Sequence, residues 1–417
     1  MQSPIPSRRA MFRYRRDLMR VALIAVGVLM IGFQTILRAD HVITLEGDLV
    51  EGQVQRITAE SGLDLGGQDL WPLEKLRAIV PSTQAEDIIP AAYTVWLTNG
   101  SRFTTNILKL ADETYQIDNP VLGKLEVPID LVWAVRLGRA NPDSRFARAV
   151  RSYVELEEDT IYVTGTGTTE MQEVNGLIDE LDAQRLTFDQ EGELKVLPAA
   201  QAHGVLLASP PFEPESDSWI TSRLTLSDGS LISGNLAALT DGQLDMELGE
   251  GMRIYLAWNQ VRRLTIESDL LHYLSDLEPT QAETEAIYAF PRTWKRDLNV
   301  RGNAIRLGQD RFEKGLGVAS GTTLTFANDA RYTLFTATIG IDAQRAPAGD
   351  CAFVIRAGKE ELFRERLGSG DPAKFIKLEV EDVQSLTLTV EPAAGGLDLG
   401  DDANWAEACF LQLENEL

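Results

Sequence analysis

Two cysteines and three histidines are all that the sequence holds of the side chains most used for metal binding and nucleophilic chemistry. His41, His203 and His272 fall on separate segments, and no pair has metal-ligand spacing. No Gly-x-Ser-x-Gly elbow, Walker-type loop or dinucleotide fingerprint occurs. Long helical periodicity is missing too, and with it the α/β alternation of the commonest hydrolase scaffolds. A glycosidase needs only two carboxylates and this chain has many, but no segment supplies a catalytic scaffold around them. The expectation is a protein that is not an enzyme.

Positive charge is scarce. Lys and Arg number 39 against 63 Asp and Glu, a formal charge of −24. The first 39 residues hold seven arginines against Asp17 alone, a surplus of +6 that leaves −30 on the remainder. So acidic a surface repels phosphate backbones and excludes nucleic acid as a partner. The longest apolar run, Val21 to Phe33, falls short of the ~20 residues of a spanning helix and has signal-peptide length. Ala39 is a small residue placed for cleavage before Asp40, although Leu37 and Arg38 make an imperfect context. The two readings are a cleaved export signal, giving a periplasmic or cell-surface protein, and an uncleaved segment that anchors it, the one route to a membrane. Arg8-Arg9 adds a weak twin-arginine-like signal. Neither Cys351 nor Cys409 follows the apolar run, which excludes a lipoprotein-type attachment there. Both lie near the carboxy terminus, as a bridge or as two buried thiols.

What is present is β signal: Thr, Val, Ile and Gly at short intervals bounded by turn residues. From Val42 to Asp276 the pattern recurs four times. Val42–Leu45, Thr94–Leu97, Asp159–Val163 and Leu224–Leu226 open the copies, and a late strand closes each, at Leu76–Val80, Val132–Val135, Gly204–Leu207 and Val261–Leu264. Asn99-Gly100 and Asp228-Gly229 are tight-hairpin signals at corresponding places, since those residues tolerate positive φ. Each copy of roughly 40 to 50 residues is a marginal core alone and gains by stacking, pairwise or in a row. The expectation is an all-β chain of four small β-barrels, SH3-like or Sm-like, open to protein partners, with Trp71, Trp96, Trp133 and Trp258 in their cores.

The last third differs. Lys314-Gly315-Leu316-Gly317-Val318, Phe335 to Asp342, Ala352 to Lys359 and Asp401-Asp402-Ala403-Asn404-Trp405 form strands in which glycine marks close backbone approach. This pattern resembles the NPCBM family, a carbohydrate-binding module family with a galactose-binding-like jelly-roll β-sandwich. Ala319 and Asp402 stand where the family commonly has histidines. The preceding repeats joined through Tyr273-Leu274-Ser275-Asp276-Leu277-Glu278-Pro279 are similar to those of exported proteins of planctomycete-type bacteria. The division expected is 1–39 signal or anchor, repeats at 40–92, 93–140, 159–219 and 220–276, a helical connector at 141–158, a linker at 277–286 and the module at 287–417.

The resemblance implies a glycan partner. A pyranose needs an aromatic face and planar acceptors for its hydroxyls. Trp294, Tyr332 and Trp405 are the candidate faces, and Asp297, Asp342, Asp401 and Asp402 the candidate acceptors. Asp398, Asp401 and Asp402 are a weak candidate calcium set, without EF-hand spacing; no other cofactor is expected. Three roles follow: a glycan binder with the repeats as spacer or platform, a structural or protein-interaction protein of the cell envelope, and an accessory part of a glycoside hydrolase system.

Overall fold

The computed structural model describes residues 39–58, 61–67, 70–138, 144–152, 156–164, 171–208, 221–249, 251–285, 292–328, 331–342, 349–392 and 400–413. The expected signal or anchor before Ala39 lies outside them. The chain divides into a unit before Asp40 and a unit from Asp40 onward, and everything below concerns the second. It is all-β, with one short α-helix among the described residues, α1 (Arg145–Ser152). No helix among the described residues is long and apolar enough to cross a membrane.

The first repeat comprises β1 (Asp40–Thr44), β2 (Leu49–Gly52), β3 (Arg56–Thr58), β4 (Gly62–Asp64), β5 (Leu70–Trp71) and β6 (Leu76–Val80). The second comprises β7 (Tyr93–Leu97), β8 (Arg102–Thr105), β9 (Leu108–Ala111), β10 (Thr114–Asn119), β11 (Gly123–Pro128) and β12 (Val132–Arg136). The third comprises β13 (Thr160–Thr164), β14 (Met171–Asn175), β15 (Leu177–Leu181), β16 (Arg185–Gln190), β17 (Glu193–Pro198) and β18 (Ala202–Leu206). In the fourth, β19 (Thr221–Leu226) leads to a single long strand, β20 (Leu231–Thr240), then β21 (Gln243–Gly249), β22 (Met252–Ala257) and β23 (Val261–Ile266).

One plan runs through all four. The first strand pairs antiparallel with the second and with the last. The middle strands form a meander. A single 3-10 turn then reverses the chain at Leu73–Lys75, Ile129–Leu131, Ala199–Gln201 and Trp258–Gln260, three times directly after a proline, whose fixed φ suits that entry. Val42, Val95, Ile161 and Leu224 hold the same inward place on the first strands and are fully buried, each contributing about 1.5–3 kcal/mol.

The expected separate barrels do not form. Among the described residues the last strand of a copy does not pair with its last meander strand, so each stays a half-barrel with open edges. Those edges are satisfied by another copy. The first and fourth repeats join through β6 with β23 and β3 with β20. The second and third join through β12 with β18 and β9 with β15. The second and third repeats therefore share the sheet β11-β10-β9-β15-β16-β17, the other repeat strands join in one 17-stranded sheet, and one apolar core runs through all four copies. Unpaired backbone groups at sheet edges drive this fusion.

Buried polar groups lock the pairs together. Asn99 donates to the carbonyls of Ser233 and Leu248 at 2.8 and 2.9 Å. Its counterpart Asp228 is fully buried and accepts from Thr104 Oγ1, Asn119 Nδ2 and Ser230 Oγ at 2.9, 2.8 and 2.7 Å. The two hairpin tips thus grip each other's repeats. Trp133 is buried beside Phe146 of α1, while Trp71, Trp96 and Trp258 are partly buried against the cores.

The module begins earlier than expected. Residues read as the end of the fourth repeat and a linker are strands β24 (Leu271–Tyr273) and β25 (Gln281–Thr284), paired with module strands. Next come β26 (Lys295–Arg296), β27 (Ile305–Leu307), β28 (Asp310–Phe312), β29 (Gly315–Ala319), β30 (Thr322–Ala327) and β31 (Leu334–Ile341). They are followed by β32 (Asp350–Ala357), β33 (Glu360–Gly368), β34 (Lys374–Glu379), β35 (Ser385–Pro392) and β36 (Asp402–Leu411). The sheet β26-β29-β36-β31-β34, with β24 beside β36, faces the sheet β25-β30-β35-β32-β33 across a common core. Cys351 and Cys409 lie on strands of different sheets, free and buried, so the bridge is not made. Burial pushes both thiols up in pKa, which keeps them protonated and inert.

Asp228→Ala removes the carboxylate that accepts four hydrogen bonds, the Ser230 N–H included. Guanidinium unfolding of this variant is expected to show a loss of roughly 2–4 kcal/mol. A loss below ~0.5 kcal/mol would show that the hairpin tips do not hold the repeat pairs together.

Candidate glycan-binding end of the module

The glycines that mark the module are steric requirements. A Cβ on Gly317 would lie 2.3 Å from the Leu298 carbonyl and 2.5 Å from Asn299. Gly315, at φ +146°, would meet the Trp405 carbonyl at 2.7 Å. Their absence of side chains lets the 298–303 loop lie on β29 and lets β29 lie on β36.

That loop is tied down by Asn299, whose Oδ1 accepts from Arg301 N and Asn303 N, both at 3.0 Å. Its Nδ2 donates to Asp342 Oδ2 at 3.2 Å, which also takes Asn404 Nδ2 at 3.1 Å. Asp342 is buried. It is a structural clamp on the loop and offers no open acceptor to a sugar.

The loop presents Arg301, which pairs through Nε with Asp402 Oδ2, while Arg292 Nη1 pairs with Asp402 Oδ1. Asp402 itself is buried, but the two guanidiniums are partly exposed. A carboxylate bonded to two guanidiniums orients both, and each keeps exposed surface. Trp294 is half-buried next to this segment, with the Arg296 guanidinium 5.1 Å from its ring centre.

Of the expected faces only Trp294 is accessible. Tyr332 is buried and stacks on Phe410 with centroids 4.9 Å apart, and Trp405 is buried edge-on to Phe353 at 5.1 Å. Both belong to the core, because β36 is covered on both faces. Asp297, at φ +55°, accepts from Gly315 N at 3.1 Å and pairs with Lys314 at 3.1 Å, well placed as a turn lock. Asp401 is buried and accepts from Asp350 N at 2.8 Å. Asp401 and its neighbour Asp402 bond to different partners. Asp398 lies outside the described residues, among which no cluster of three or more His, Cys, Asp or Glu side chains occurs.

Residue reasoning passed over Arg292 and Arg301. The signal was in the register: Ala319 is the cross-strand partner of Asp402. The two positions at which this chain departs from the resembled pattern are one place in space, rebuilt around a carboxylate and two arginines.

With this geometry in hand, comparison places residues 271–411, a third of the chain, in the NPCBM/NEW2 domain model. No curated protein matches. Similar solved structures include the CBM51-2 and INT domains of Clostridium perfringens ZmpB in complex with GlcNAc, 22% identical with a TM-score of 0.32, covering 42% of this chain and 37% of that one. The CBM51 of Clostridium perfringens GH95 in complex with methyl-galactose is 20% identical with a TM-score of 0.31, covering 34% and 99%. The tandem CBM51 modules of Sp3GH98 from Streptococcus pneumoniae are 13% identical with a TM-score of 0.30, covering 77% and 88%. This chain spans little more than a third of the ZmpB structure.

Gly317→Ala is expected to push the 298–303 loop off β29 and cost about 1–3 kcal/mol in thermal or chemical unfolding. Wild-type stability in that variant would contradict the close-approach account.

Proposed function

We propose that this protein is a non-catalytic glycan binder, whose module engages a sugar at the end formed by Arg292, Arg301, Asp402 and Trp294. The observation that carries this reading is the pair of partly exposed guanidiniums oriented by one buried carboxylate. Guanidinium N–H groups donate to sugar hydroxyl or carboxylate oxygens, and the Trp294 ring offers a face for pyranose C–H groups. Asp342 and Asp402 are committed to Asn and Arg partners, which favours binding over hydrolysis. The NPCBM/NEW2 match and the sugar complexes of the CBM51 structures agree with a glycan ligand. Export belongs to the same proposal, on the arginine-rich start and the 21–33 apolar run. The repeats act here as a fixed platform, since several side chains hold them to the module.

A glycan array followed by calorimetry on the full chain tests this. Arg301→Ala and Trp294→Ala are each expected to weaken the selected glycan roughly tenfold or more. The burial of Tyr332 and Trp405 favours a second reading, a structural module without sugar affinity, and that reading predicts no array signal. Binding that survives both substitutions would overturn the assignment of the site.

A further inference from the structure

A cavity of about 430 Å³ lies where the fourth repeat meets the module, at the other end of the β29–β36 ladder from Asp402. Neither part encloses it alone. Arg223 and Arg263 come from β19 and β23 of the repeat, and Tyr273, Lys314 and Glu407 from the module. The walls are tied across the junction by Arg263 with Glu407 at 2.5 Å and by Thr225 with Glu313 at 2.5 Å.

Glu407 is the unusual residue. Along β31 and β36 the register jumps from Thr336 opposite Cys409 to Thr338 opposite Ala406, so Glu407 sits in a bulge. It is a non-glycine residue at φ +47°, with its N–H bonded to Lys314 O at 3.0 Å. A bulge re-aims a side chain and its left-handed backbone carries strain that packing must overcome. Here it turns a carboxylate out of an otherwise buried strand and into the cavity.

The charges around the cavity alternate in sign. Arg223 pairs with Glu267 at 2.8 Å, and Lys314 with Asp276 at 2.5 Å beside the Tyr273 ring, 5.8 Å from its centre. A strongly charged ligand of either sign meets like charge in such walls, and an apolar ligand would strip water from several ions without compensation. A hydroxyl can accept from an arginine or lysine and donate to a carboxylate at once. The volume falls in the usual range for a small-molecule site, at the junction of two folded parts where such sites concentrate.

We propose that this cleft is a composite subsite for a neutral mono- or disaccharide, shared by the fourth repeat and the module and separate from the Asp402 end. The proposal stands on the cleft alone and does not require the glycan reading of the Asp402 end. The full chain, labelled with fluorotyrosine, is titrated with lactose, maltose and cellobiose, and with glucuronic acid and glucosamine as charged counterparts. The Tyr273 resonance, assigned by its loss in Tyr273→Phe, is expected to shift with at least one neutral disaccharide. Glu407→Gln and Glu267→Gln are expected to weaken that response roughly tenfold, while Arg301→Ala leaves it unchanged. Glu267 is a surface residue, so its substitution keeps the test valid should Glu407→Gln unfold the junction. Loss of array binding with the Tyr273 response intact would sink the Asp402-end assignment and leave this one standing. No Tyr273 shift at tens of millimolar of any neutral disaccharide, a tighter response to a charged sugar, or full response in both glutamate variants would overturn it.

Discussion

Arg77 belongs to the first repeat but ends inside the contact with the module. Its side chain is buried, and Nη2 reaches Leu45 O at 2.9 Å, Thr336 Oγ1 at 3.0 Å and Cys409 Sγ at 3.3 Å. A buried guanidinium is tolerated only where acceptors and a nearby carboxylate answer its charge, and Glu407 lies close enough to act on it. The bulge at Glu407 also lets its carboxylate pair with Arg263 of the fourth repeat. Exposed contacts such as Lys377 with Glu46 and Asp48 add little by comparison. The Phe375 ring covering Gly47, where a Cβ would lie 2.2 Å from the ring, adds a shape constraint to the same junction.

The repeats reach this junction through their own pairing. Because the first repeat joins the fourth, both ends of the repeat region lie beside the module, one bringing Arg77 and the other Arg223 and Arg263. A row of independent barrels would have placed only the last repeat there. The cleft thus depends on half-barrels that finish their edges on a partner far away in sequence.

Much of this was legible in the residues. The all-β class, the recurring strands and the equivalence of Asn99-Gly100 with Asp228-Gly229 can all be read from alternation and turn chemistry. The nesting of the first repeat with the fourth cannot, since it rests on edge pairings with no local signature. β25 was misread as a linker because Gln281 to Thr284 is polar and largely exposed, as edge strands often are. Tyr332, just before β31, and Trp405, on β36, were misread as faces because an aromatic at or beside a strand does not declare which side is covered. Asp40 and Asp159 carry a repeat signal that went unread: each accepts two backbone N–H groups, Asp40 from Val54 and Ser82 and Asp159 from Ile178 and Ala208. Both stand two residues before the buried Val42 and Ile161, so spacing alone could have paired them.

The central claim is that the repeats and the module stabilise each other through Arg77, so that they unfold together. The most direct measurement is guanidinium unfolding of the wild type and of Arg77→Ala, followed by thiol accessibility of Cys351 and Cys409 for the module and by far-ultraviolet circular dichroism for the whole unit. The account predicts coincident transitions in the wild type and, in Arg77→Ala, a module transition that separates and moves to lower denaturant. Separate transitions already present in the wild type, or an Arg77→Ala protein indistinguishable from it, would contradict the account.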